Sequence, residues 1–272
     1  MNTVNTVNTP VTRAGEARWA LSNAGALVGR SLRHITRSPE QLMLMLFLPT
    51  MLLLMFRYLF GGAIATGGMS YVNYVIAGNI AVSVTFNATA TSVAVAGDML
   101  EGIVERFRSM PVSSPAVLVG HVAASLARNL VSIAVMVGVG LLAGFRPVAG
   151  PGQWLAALGL LVLFTLGVSW IAVLLGVLAK TVEGASGLSM PLVFVPYVSS
   201  AFVPPGTMPE ALRVIAENQP VTPMVDAVRA LFLDQPVGDS AWLAVAWWGG
   251  LTLVAVPLAG VLFRRRSAPG SR

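Results

Sequence analysis

Six stretches of this chain are apolar over lengths that can cross a bilayer: Leu42–Phe60, Tyr71–Gly97, Pro115–Phe145, Trp154–Ala179, Ala185–Val203 and Ala241–Phe263. About 20 helical residues cover the hydrocarbon. Inside lipid no water meets the backbone N–H and C=O groups, so each stretch must satisfy its own as a helix. Composition agrees: 10% of residues are charged and 56% hydrophobic, against about 25% charged in soluble domains. The expected fold is therefore all-α, a polytopic bundle of six transmembrane helices. The third stretch is long enough that its start should lie outside the hydrocarbon. The first begins only at Leu42, so it reads as an uncleaved span and not as a signal peptide.

Charge and chemistry narrow the choices further. The net charge of +6 comes from sixteen arginines and one lysine. In a chain of this kind a cationic excess sets orientation. A nucleic-acid reader would gather its arginines on a soluble module, and none is present, so no nucleic-acid partner is expected. Cysteine is absent, and His34 and His121 are the only histidines. Disulfides, thiolate metal sites and histidine-rich metal sites are thereby excluded. No cofactor or metal is expected in the chain.

The segments divide by composition. Residues 1–17, with a repeated Asn-Thr-Val triplet, read as disordered. Residues 18–37 form a basic amphipathic helix. Trp19, Leu27, Val28, Leu32 and Ile35 make its apolar side, with Arg30, Arg33 and Arg37 opposite, a pattern that lies in the headgroup plane. Ser38-Pro39-Glu40-Gln41 restarts the chain as a capped helix. Residues 38–263 are the six-span domain, and 264–272 a basic tail.

Two connections are long. In the first, 98–111, Leu100, Ile103, Val104 and Phe107 fall on one helix face, with Glu101, Glu105, Arg106 and Arg108 around it. Asp98 is placed to cap this helix, Glu101 to reciprocate and Pro111 to stop it. A helix this short needs a surface, either the membrane face or another protein. Its mixed charge disfavours anionic lipid. The second, 204–240, holds Pro209–Ala216 and a helix starting at Thr222-Pro223, separated by Asn218-Gln219-Pro220. In the latter, Met224, Val225, Val228, Leu231 and Phe232 make an apolar stripe, and Asp226 and Arg229 stand three apart on the polar side. This pair reads as a helical hairpin dipping into the outer leaflet, with a compact external cap as the alternative. Arg57, Arg146, Arg213 and Arg229 fall on one side of the membrane. The other cations, Arg128 within the third span aside, fall on the side shared by both termini, which marks that side as cytoplasmic.

Enzyme chemistry lacks its parts. Gly184-Ala-Ser-Gly187 resembles the serine motif of rhomboid-type proteases, but no histidine follows Ser186 to serve as base. Lys180-Thr181 lacks the glycines of a phosphate-binding loop; Leu174 and Ala179 stand in their places. Proton- or ion-driven carriers place acidic residues within spans. Here Asp98 and Glu183 lie only at boundaries.

Within the second span Asn79, Ser83, Asn87 and Thr91 recur every four residues, a polar stripe on one face. They serve either as hydrogen-bonding glue between helices or as the lining of a substrate path. Gly140 and Gly144 form a GxxxG pair that allows close helix approach. Arg128 is expected to snorkel to the inner boundary, and His121 to be structural.

The stretch Glu101-Gly-Ile-Val-Glu-Arg-Phe-Arg-Ser-Met-Pro-Val112, after the second of six spans, resembles the cytosolic coupling segment of ABC-2 type exporter permeases, in particular the daunorubicin-resistance subgroup of actinobacteria. A second match lies in Phe202-Val203, Met208-Pro209 and Glu217-Asn-Gln-Pro-Val-Thr222. The resemblance implies a permease in the bacterial plasma membrane, half of an identical or mixed dimer. Two copies of a separate ABC ATPase subunit, carrying ATP and Mg, would dock beneath it. It implies an amphipathic cargo, a drug or antibiotic, with a glycolipid, lipid or polysaccharide as the alternative. Glu101, Gly102, Ile103, Glu105, Arg106, Phe107 and Arg108 would form the coupling surface.

Overall fold

The computed structural model describes residues 39–64, 68–100 and 114–266. All regular structure among them is helical: α1 (Pro39–Met55, extended by a π-helical turn Phe56–Phe60), α2 (Tyr71–Leu100), α3 (Ser114–Leu142), α4 (Pro151–Leu178), α5 (Val182–Phe194, extended by a 3-10 turn Val195–Val198), α6 (Glu210–Glu217), α7 (Val221–Phe232) and α8 (Ser240–Arg266). A short 3-10 turn, Pro205–Thr207, precedes α6.

Four helices, α2, Val117–Leu142 of α3, α4 and α8, are long and apolar enough to cross a membrane. The first expected span is helical without a break from Pro39 to Phe60, with Pro49 inside it and a π turn at its end, and the fifth is a shorter apolar helix, Val182–Val198. Pro191 and Pro196 each remove a backbone donor, and α5 tightens and ends at Val198, short of the expected Val203. The GxxxG pair does not act as one: Gly144 ends α3 at φ +100°, a conformation that favours glycine, while Gly140 faces Ile76 of α2.

The centre of the bundle is α2, which packs against α1, α3, α4, α5 and α7. Small residues let these helices approach. A Cβ on Gly78 would lie 2.5 Å from Ala201, and one on Gly176 of α4 would lie 2.5 Å from the Ser92 carbonyl oxygen. The α4–α8 contact is built the same way, with Gly167 under the Trp248 ring and Phe164 edge-on to it, centroids 4.6 Å apart. The C-terminal ends of α4 and α8 meet, because Arg266 donates to the carbonyls of Val177 and Ala179 at 2.6 Å. These are carbonyls the helix end leaves open.

The hairpin departs from its expected setting. Its two helices form where the sequence places them, but α7 does not turn its apolar stripe toward lipid. Eleven of its twelve residues are buried, against α2, α4 and α8. Only α6 keeps apolar side chains outward: Leu212, Val214 and Ile215. Arg229 is likewise not on a solvated face. Its Nε donates to the Tyr74 carbonyl (2.9 Å), Nη2 to the Ser200 carbonyl (2.7 Å) and Nη1 to Asp226 Oδ1 (2.7 Å). The guanidinium lies 3.8 Å from the Tyr74 ring centroid. Ser200 Oγ also donates to Asp226, at 2.6 Å, and the hydroxyls of Tyr74 and Tyr71 donate to the carbonyls of Ser200 and Phe202. Where α5 runs out, the backbone turns with its carbonyls unpaired, and one planar five-donor fork and two phenols satisfy them.

Two outcomes test this packing. Gly78→Ala should lower the thermal midpoint of the purified protein, because the new methyl meets backbone, whereas Gly138→Ala, with open space around it, should leave the midpoint in place. Arg229→Met should cost about 2–4 kcal/mol in a denaturant titration, since it strands buried carbonyls.

Candidate functional site

The polar stripe of α2 meets a second stripe on α3. The two helices run antiparallel, and their polar residues pair rung by rung. Asn79 Nδ2 donates to Met136 Sδ (3.3 Å) and to the Pro49 carbonyl of α1 (3.0 Å). Ser83 Oγ and Ser132 Oγ are 2.6 Å apart. Asn87 Nδ2 donates to Asn129 Oδ1 at 3.1 Å, and Thr91 Oγ1 to Ser125 Oγ at 3.0 Å. From α4, Ser169 Oγ donates to the same Ser125 Oγ at 2.9 Å. Asn79, Ser83, Asn87, Thr91, Ser125, Asn129, Ser132 and Ser169 are all buried. Polar groups removed from water need partners, and the seam supplies them, with two exceptions. Asn79 Oδ1 and Thr165 Oγ1 are buried without one.

Sequence spacing singled out one side of this seam. The facing residues Ser125, Asn129 and Ser132 were missed, although they recur three and four apart on the next apolar stretch. The signal was available: polar residues at helical spacing on consecutive, oppositely directed spans can register against one another.

Arg128 does not snorkel to the helix end. Its Nη2 donates to Thr91 Oγ1 at 3.0 Å, inside the bundle. Two turns closer to the end of α2, His121 Nε2 and Asp98 Oδ2 stand 2.9 Å apart. Asp98 is itself a helical residue of α2, and His121 ties that part of α2 to α3. The expected coupling residues Glu101, Gly102, Ile103, Glu105, Arg106, Phe107 and Arg108 lie outside the described residues, as does the amphipathic helix at 18–37. What the structure gives is their frame: the described part of α2 runs to Leu100, that of α3 begins at Ser114, and the Asp98–His121 pair joins the two. Beside this frame Thr181 caps α5, accepting from the Gly184 amide at 2.9 Å.

Several helices apolar and long enough to cross a membrane, joined by a hydrogen-bonded interior seam, mark a multi-pass membrane protein. Residues 23–233 match the family model for the ABC-2 type transporter, and the chain belongs to that family. It is the membrane component of an ABC transporter, and membership brings an ABC ATPase as partner. The chain is 33% identical over 276 residues to the "Daunorubicin resistance ABC transporter permease protein DrrB1" of Streptomyces coeruleorubidus, covering 96% of each chain. It is 26% identical over 167 residues to the "Probable doxorubicin resistance ABC transporter permease protein DrrC" of Mycobacterium tuberculosis, covering 61% of this chain and 60% of that one.

The seam predicts a measurable coupling. In a double-mutant cycle of Asn87→Ala and Asn129→Ala, unfolding in bicelles should return an interaction energy of about 0.6–1.7 kcal/mol. A value of zero would mean that the two amides find other partners.

Proposed function

We propose that this chain is the membrane half of an exporter that carries an amphipathic drug or antibiotic out across the bacterial plasma membrane, driven by a separate ATPase. The observation that carries the reading is the end-to-end similarity to a daunorubicin-resistance permease. Two copies of the ATPase, holding ATP and Mg, would dock under two permease subunits, identical or mixed. The coupling surface would be Glu101, Gly102, Ile103, Glu105, Arg106, Phe107 and Arg108. An apolar stripe there supplies affinity and the flanking charges select the partner. The Asp98–His121 pair at the root of this segment favours the assignment, because a push on the segment would be delivered to α2 and α3 together.

The six-span topology, with both termini cytoplasmic, accords with the run of the helices. α1 and α5 run in the direction of α3, against α2, α4 and α8. The end where α2, α4 and α8 finish holds Lys180 and Arg264–Arg266, while Arg57 and Arg146 lie at the other. The 204–240 hairpin would then be external, wedged between spans by α7. The hydrogen bonds of Asn79, Ser83, Asn87 and Thr91 favour the reading of this stripe as glue between helices; as a wall of the substrate path it would act only once those bonds open.

Phe107→Asp should leave the permease in the membrane but break co-purification with the ATPase and abolish efflux. Unchanged co-purification together with unchanged efflux sinks the coupling assignment. The chain has no cysteine, so single substitutions report topology cleanly. Arg106→Cys should resist an impermeant maleimide on intact cells, and Glu210→Cys should react.

A further inference from the structure

Two arginines gather where α3 ends. Glycine closes the turn there. The Phe145 amide donates to the Gly140 carbonyl (2.8 Å) and the Gly144 amide to that of Leu141 (3.2 Å), with Gly144 left-handed. Over this turn Arg57, from the π turn at the end of α1, donates through Nε to the Ala143 carbonyl at 3.2 Å. Arg146 folds back and donates through Nη1 to the Leu141 and Phe145 carbonyls, both at 3.2 Å. Its own amide donates to Asn73 Oδ1 at 3.0 Å, which fixes the backbone beneath it. Both forks hang on one helical turn, so their charges stand within about 12 Å of each other. The partial negative charge of a helix C-terminus, roughly half a unit, offsets only a fraction of the two.

The other two arginines at this end of the bundle have carboxylates: Arg213 has Glu217 at 3.2 Å and Arg229 has Asp226 at 2.7 Å. Among the described residues, no acidic side chain stands within ion-pair distance of Arg57 or Arg146. The acidic residues elsewhere in the chain are tethered too far away. Residues 65–67, at this end, are Ala-Thr-Gly and bear no charge. Glu40 is in the first turn of α1, about 25 Å along the helix from Arg57. Glu101 and Glu105 follow Leu100, which lies about 40 Å along α2 from Asn73, the residue beside Arg146; even a fully extended chain from Leu100 to Glu105 covers at most about 18 Å. Glu16 precedes α1 and stays on the opposite side of the membrane in the topology proposed above.

The free edge of the Arg57 fork is bordered by glycines. A Cβ added to Gly61 would lie 3.5 Å from Nη1, and one added to Gly144 would lie 4.0 Å from Nη2. Neither position carries a side chain to cover the paired N–H groups that match two phosphate oxygens. Arg146 is exposed beside it. The adjoining surface is apolar, with Tyr58, Leu59, Leu141 and Leu142 all exposed. We propose that Arg57 and Arg146 form a binding site for the phosphate of an anionic phospholipid, whose acyl chains lie along Leu59, Leu141 and Leu142. In the topology proposed above this is an outer-leaflet lipid. A zwitterionic headgroup brings a cation of its own and gains less from the pair. A carboxylate from a second copy, Glu210 or Asp239 at the same end, would match the charge but not the apolar flank; the lipid matches both. The site goes beyond the exporter reading and does not depend on it.

The test uses the permease with its ATPase in nanodiscs holding equal phosphatidylglycerol and phosphatidylcholine, so that neither leaflet is presupposed. A photoreactive acyl-chain analogue of each lipid is added, and labelled peptides are identified by mass spectrometry. The phosphatidylglycerol analogue should label the peptides containing Leu59 and Leu142 about tenfold more than the phosphatidylcholine analogue. Arg57→Gln with Arg146→Gln should bring the two to the same level while labelling near Arg264–Arg266 stays unchanged, and Arg213→Gln should leave the preference in place. Equal labelling by the two lipids in the unmutated complex overturns the proposal, whether or not the double variant folds. A preference that survives the double variant overturns it too. Displacement of the label by soluble glycerol 1-phosphate would give the site to a soluble phosphate ester instead of a lipid. Equal labelling together with loss of the permease dimer in the double variant would give it to a second copy's carboxylate.

Discussion

Polar groups buried away from water have to be paired, and this structure meets that demand chiefly around α2. The helix is enclosed by five others, yet it carries asparagine, serine and threonine along one face. Each of those side chains would be expensive in lipid alone. Set against the matching face of α3, they become the cross-links that fix the register of the bundle's two central helices. The apolar contacts are interchangeable by comparison, because lipid tails compete for the same surfaces. Glycines at 78 and 176 then let the neighbours close in, so that the seam is sealed and not merely formed.

Arg229 solves the same problem at the other end of α2. The turn at Ser199–Phe202 exists because α5 is too rich in proline to continue, and its carbonyls point into protein. A guanidinium from α7 satisfies two of the elements that meet there, and Asp226 balances its charge. The hairpin is thus held by its polar residues while its apolar stripe fills the space between α2, α4 and α8. Toward the other end of α2, Asp98 pairs with His121 of α3.

Much of this was readable beforehand. Apolar length located the six helical segments, because the absence of water leaves a buried backbone no alternative. The break at Asn218-Gln219-Pro220, and the spacing of Asn79, Ser83, Asn87 and Thr91, followed from local geometry. Other features were not legible. Asp98 reads as a cap when only its chain neighbours are considered; His121, which claims it, is distant in sequence. Arg229 beside Asp226 reads as an exposed helical pair. Arg128 reads as a residue reaching for the headgroups.

The sequence by itself determined that the chain is helical and membrane-embedded, and it marked where charge interrupts the spans. Those properties depend on each segment's own composition and on the solvent it meets. Only the tertiary structure decided which polar groups are consumed as mutual partners and which are left over, since a hydrogen bond or a counter-charge is a property of two residues brought together. In that respect Arg128 and Arg229 are the same residue type in two situations: Arg229 is buried with its charge balanced by Asp226, whereas Arg128 is partly covered and donates to Thr91.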